Sequence, residues 1–109
     1  MNVKVSSAGD YTVVGVEGRI DTTNAAGFEL KMMELVDAGA SKLLLDCSGL
    51  NYISSSGLRV FLVLQKKMGT LKGQLRICSL QPVIREIFDI SGFSTILSVF
   101  PDQDSAVQG

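Results

Sequence analysis

Apolar and polar positions alternate weakly over Asn2–Ala8, which predicts an edge strand. Gly9-Asp10 is a hairpin turn signal, and the β-branched residues of 11–17 predict the partner strand. Gly18 interrupts that strand and Ile20 resumes it briefly. The period then changes. Ala25, Phe28, Met32, Leu35 and Val36 recur at helical spacing, with Glu29, Lys31, Glu34 and Asp37 on the other side. Asp21-Thr22-Thr23-Asn24 supplies several N-caps, and Gly39 stops the helix. Residues 42–47 form a nearly continuous apolar run, as in a strand covered on both faces.

Residues 48–54 predict a short polar loop, followed by a second helix from Ser55 to about Met68 that Gly69 and Gly73 close. Gln74–Cys78 predicts a strand. Pro82 suits the first turn of a third helix, whose apolar side is Val83, Ile84, Ile87, Phe88 and Ile90 and whose end is Gly92. Residues 96–100 predict the last strand, and the polar tail 101–109 a short or frayed helix. This order predicts one α/β domain over residues 1–109. Its mixed sheet has an N-terminal antiparallel hairpin, then β-α repeats, with helices packed on it. Functional loops gather at the carboxyl ends of parallel strands, so 48–54 is the default site.

Composition narrows the chemistry. A chain of 109 residues with net charge −1 and no block of like charge lacks the basic face that nucleic acid requires. No stretch is apolar enough to span a membrane, and the N-terminus lacks a signal peptide's apolar core, so a cytoplasmic protein is expected. The chain has no histidine, which excludes a Ser-His-Asp triad. Without histidine or clustered cysteine a zinc site is not expected, and no cofactor or enzymatic activity is either. Cys47 and Cys78 sit in apolar runs as small buried hydrophobes.

The informative feature is Ser54-Ser55-Ser56-Gly57 at the start of a strongly apolar helix. Hydroxyls there cap free backbone N–H groups, and the helix dipole tolerates a phosphate on one of them. Capping accounts for one serine of the three. In the helix, Gly57, Val60, Phe61, Leu64 and Met68 share the face assigned to the sheet. Leu58 and Leu62 fall to one side, either as an exposed partner-facing patch or under a neighbouring helix. Arg59 either meets a partner carboxylate or points to water. Gly57, without a side chain, would let a partner's backbone come close. Asp21 reads on its own as a turn or first-turn carboxylate.

These residues resemble the STAS domain, and within it the bacterial anti-sigma factor antagonists. The resemblance rests on Gly18-Arg19-Ile20-Asp21, on Leu45-Asp46, on Tyr52-Ile53-Ser54-Ser55-Ser56-Gly57-Leu58, and on Ser79-Leu80-Gln81-Pro82-Val83 leading to Phe88-Asp89-Ile90-Ser91-Gly92. It implies a partner switch. The unphosphorylated antagonist binds an anti-sigma factor that is also a serine kinase. Phosphorylation releases it, and a serine phosphatase resets it. The family phosphosite maps to Ser55. Partner contacts map to Asp21, Thr22, Thr23, Ser56, Gly57 and Leu58, and the site as a whole takes in Ser54, Arg59 and Leu62. Ser54 stands where the best-known members carry aspartate. A STAS signalling or scaffold module with a non-sigma target, or one that binds a nucleotide, is the alternative. A monomer or weak dimer is expected.

Overall fold

The turn at Gly9-Asp10 forms as its sequence dictates in the computed structural model, which describes all of residues 1–109. Strand β1 (Asn2–Ala8) runs antiparallel to β2 (Tyr11–Ile20), in register from Asn2 opposite Glu17 to Ala8 opposite Tyr11. Helix α1 (Ala25–Asp37), β3 (Lys42–Ile53), α2 (Ser55–Thr70) and β4 (Gln74–Cys78) follow. Then come α3 (Pro82–Ser91), the single turn α4 (Phe93–Ile96), β5 (Ser98–Phe100) and α5 (Gln103–Gln108). The sheet order is β1-β2-β3-β4-β5, and every pair after the hairpin is parallel.

Alternation of side chains across the strands divides the interior in two. On one face Val14, Leu43, Leu45 and Ile77 pack against Phe28 and Met32 of α1, Phe61 and Leu64 of α2, and Ile84 and Phe88 of α3. Phe28, Phe61, Phe88 and Phe93 form a continuous aromatic line across these helices, with centroids 6.1, 5.8 and 6.2 Å apart. The helices are thereby fixed relative to one another. On the other face Tyr11, Val13, Leu44 and Cys78 are covered by Ala106 of α5. Arg76 secures that helix by donating to the carbonyls of Ala106 (2.6 Å) and Gly109 (2.9 Å).

Three expectations need correction. The loop expected at 48–54 is strand as far as Ile53, and only Ser54 separates β3 from α2. The cause lies in β2, which does not stop at Gly18. This glycine takes φ +93° and the strand continues to Ile20. Two register shifts then place an extra β3 residue between Gly15 and Glu17 and another between Gly18 and Arg19, so Leu50 and Ile53 still point into the core. The strand expected at 96–100 begins only at Ser98, because the chain makes the turn α4 after Gly92. In α3 only Ile84 and Phe88 are buried. Val83 and Ile90 are 67% and 80% exposed, since they lie on the opposite side of the helix from the sheet.

Candidate functional site

Strands β2 and β3 end side by side, and the backbone N–H of Ser54 donates to the carbonyl of Ile20 at 2.9 Å. That bond joins the two places where the chain turns into helices, so residues 19–24 and 52–59 meet at the carboxyl edge of the sheet. Ser54 is the N-cap of α2. Its backbone is extended (φ −83°, ψ 171°) and its Oγ accepts from the N–H of Gly57 at 3.2 Å. Ser55 is the first helical residue, is exposed, and its hydroxyl has no hydrogen bond. Ser56 is half-buried and faces α1 across a groove of about 300 Å³ that Thr22, Glu29 and Arg59 also line. The three serines thus have three situations: one caps, one is free, one lines a groove.

Gly57 is buried, and this corrects the expectation that it admits a partner's backbone. A Cβ on Gly57 would stand 2.7 Å from Cγ2 of Ile20 and 2.8 Å from Cγ1 of Ile53. The missing side chain lets the first turn of α2 approach the sheet, which serves the fold and not a docking surface. Leu58 is half-buried and packs on the core, and Leu62 is half-buried as well. Neither forms a fully exposed patch. The large apolar residues exposed on helices lie elsewhere, among them Val83 and Ile90. Arg59 is exposed and makes no hydrogen bond or ion pair.

Asp21 organises the other half of the site. Its Oδ1 accepts from the N–H of Thr23 at 2.9 Å and from the Thr23 hydroxyl, and its Oδ2 accepts from Nε of Arg19 at 3.2 Å. The Thr23 hydroxyl, above all, then the Thr23 N–H and Arg19 hold this carboxyl below the ordinary aspartate range. Asn24 closes the turn by accepting from the Asp21 N–H and donating to the Arg19 carbonyl. The Thr23 hydroxyl is therefore engaged within the turn, whereas Thr22 is exposed beside the groove.

Two residues join the site that the sequence pattern did not single out. Arg19 and Tyr52 are paired across β2 and β3, and the Arg19 guanidinium lies 4.5 Å from the centroid of the Tyr52 ring. Tyr52 remains 44% exposed at the mouth of the site. The signal available was an Arg and a Tyr in two separate motifs of the resemblance, but placing them face to face requires the bulged register.

No cluster of His, Cys, Asp and Glu could hold a metal ion. The two cysteines are buried in the two separate cores, on opposite faces of the sheet. Burial pushes the Cys78 thiol up to about 11 and Cys47 higher still, so neither is a nucleophile near neutral pH. No helix is long and apolar enough to cross a membrane.

Comparison with known proteins agrees with this geometry. The STAS domain family matches residues 2–106. A Bordetella bronchiseptica protein, BtrV, provisionally assigned as an anti-sigma factor antagonist, is 36% identical over 96% of this chain and 88% of its own. The anti-sigma-B factor antagonist of Bacillus subtilis is 28% identical over 99% and 98% of the two chains. The crystal structure of an anti-sigma factor antagonist from Mycobacterium paratuberculosis superposes with a TM-score of 0.88 at 23% identity, covering 98% of this chain and 91% of that one. Fold and sequence together leave one assignment: the chain belongs to the STAS domain family.

Proposed function

We propose that the protein is an anti-sigma factor antagonist. It binds an anti-sigma factor that is also a serine kinase while Ser55 is unmodified, and it is released when Ser55 is phosphorylated. The relatives in Bordetella bronchiseptica and Bacillus subtilis support the class of partner. One observation carries the choice of residue: Ser54 does the capping, so the exposed Ser55 hydroxyl is free for chemistry. In the transfer, Ser55 Oγ takes the γ-phosphoryl group of ATP, its proton passes to a kinase base, and ADP leaves.

The switch follows from electrostatics. A phosphoserine carries about −1.5 to −2 charges at pH 7. At the first position of α2 the dipole tolerates that charge, so the fold survives. Against a docked partner the same group must be desolvated, at a cost of several kcal/mol, and each ~1.4 kcal/mol is a factor of ten in affinity. The docking face proposed around Ser55 takes in the exposed Thr22 and Arg59 and the accessible edges of the half-buried Ser56, Leu58 and Leu62, with Asp21 and Thr23 holding the adjoining turn and Ser54 the helix start. A serine phosphatase restores the bare hydroxyl. The protein acts as a binding switch, not an enzyme, in the cytoplasm where sigma factors work.

The test is a pull-down from the native cell with wild type, Ser55→Ala and Ser55→Asp, read by mass spectrometry, together with incubation of the purified protein with the captured kinase and ATP. An anti-sigma factor should be retained by wild type and Ser55→Ala and lost by Ser55→Asp, and one phosphate should appear, on Ser55. Phosphate found only on Ser54 or Ser56, or capture of a non-sigma target alone, would overturn the assignment.

A further inference from the structure

We propose that Arg59 is the built-in counter-ion of phosphorylated Ser55, closing onto the phosphate and thereby becoming unavailable to a partner when the switch is thrown. The inference rests on Ser55 being the phosphosite. Ser55 and Arg59 are four residues apart in α2, so they lie on one helix face with Cβ atoms about 5–6 Å apart. The acidic member is N-terminal to the basic one, which is the better order for such a pair. Both side chains are exposed and free to turn towards each other.

The arginines distinguish this position. Arg19 pairs with Asp21, Arg85 with Asp89, and Arg76 caps α5. Arg59 alone has no partner, although it lines the groove opposite Glu29. At the end of β2, which Ser54 meets through the Ile20 carbonyl, Asp21 and Arg19 already satisfy each other. A phosphate on Ser55 would therefore meet one uncommitted cation, and that cation is a planar fork suited to two phosphate oxygens. Phosphorylation then alters two groups on the contact face: it adds a dianion and ties up a guanidinium that a partner could otherwise meet.

The test installs phosphoserine at position 55 during translation, in the full chain, so that it does not depend on any kinase. The second ionisation of the phosphate is followed by 31P NMR titration in wild type, Arg59→Gln and Arg59→Lys. Pairing favours the dianion, so the wild-type midpoint should lie about half a pH unit below that of Arg59→Gln. Arg59→Lys should fall between them, because it keeps the charge and loses the fork. Identical midpoints in wild type and Arg59→Gln would overturn the proposal. So would loss of the native circular dichroism when phosphoserine is installed, since the pair requires an intact helix. A kinase that fails to modify Ser55 would defeat the functional proposal and leave this result standing.

Discussion

Gly57 lies against Ile20 so closely that a single added carbon would sit 2.7 Å from Cγ2 of the isoleucine. Ile53 closes the other side at 2.8 Å, and both isoleucines are anchored in the core. Neither contact is the loose end of a flexible side chain, so Gly57→Ala must push α2 away from the sheet. We expect a loss of about 1–3 kcal/mol in urea unfolding, the usual cost of overpacking. Unchanged stability with lost partner binding would instead return the glycine to the interface.

Ser54 and Ser55 are neighbours with opposite demands. Ser54→Ala removes the cap on the Gly57 N–H and should cost about 1 kcal/mol. Ser54→Asp keeps an acceptor at the cap and adds a negative charge beside the helix N-terminus. Its stability should equal or slightly exceed wild type, by up to about 0.5 kcal/mol. Ser55→Ala, at a hydroxyl with no bond, should fall within about 0.5 kcal/mol of wild type. Thermal or urea melts of the three variants check the division of labour.

The Arg19–Tyr52 stack offers a rigid, half-exposed aromatic beside the proposed phosphosite. Tyr and Arg dominate the energetics of protein interfaces, so Tyr52→Ala should weaken capture of the anti-sigma partner about tenfold or more. An exposed cation–π contact is worth about 0.5–1 kcal/mol, and a double-mutant cycle of Arg19→Met with Tyr52→Leu in urea unfolding should return that coupling. The cycle is needed because Arg19→Met also removes the Asp21 ion pair. A coupling of zero would mean that the two side chains do not hold each other.

Legibility in the sequence followed the range of the interactions. The helices α1 and α2 and the hairpin are local, and their residues announced them; the cap expected for α1 did not form, because the Asn24 side chain accepts from the Asp21 N–H in the preceding turn and not from the helix. The capping role of one serine was visible in the same way, but which serine capped was not, because Ser54, Ser55 and Ser56 are chemically identical until the end of β3 is fixed. That end depends on two extra β3 residues that bulge out of the pairing with β2, across more than thirty positions of chain. The same non-local register hid the Arg19–Tyr52 stack and extended β3 through the expected loop. In α3 the pattern showed five apolar residues without showing that the sheet needs only Ile84 and Phe88. Gly57 was legible as special; its reason, a close approach to Ile20, was not.

Acid should weaken the fold through aspartates that cap and turn the chain. Asp21 is held below its ordinary value chiefly by the Thr23 hydroxyl, and Asp102 by the Ser105 N–H at 2.8 Å, which opens α5. A carboxyl with a depressed folded-state value adds stability above its unfolded value, near 3.8, and loses it as pH falls through the folded value. The urea midpoint should therefore be flat above about pH 5 and fall below about pH 4. Asp102→Asn keeps a capping oxygen but cannot be protonated, so it should match wild type near neutrality and fall less steeply in acid. Asp21→Asn should flatten the curve likewise, and it should also free Arg19 from its ion pair. If both variants retained the full acid slope, the slope would have to come from carboxylates outside these two turns.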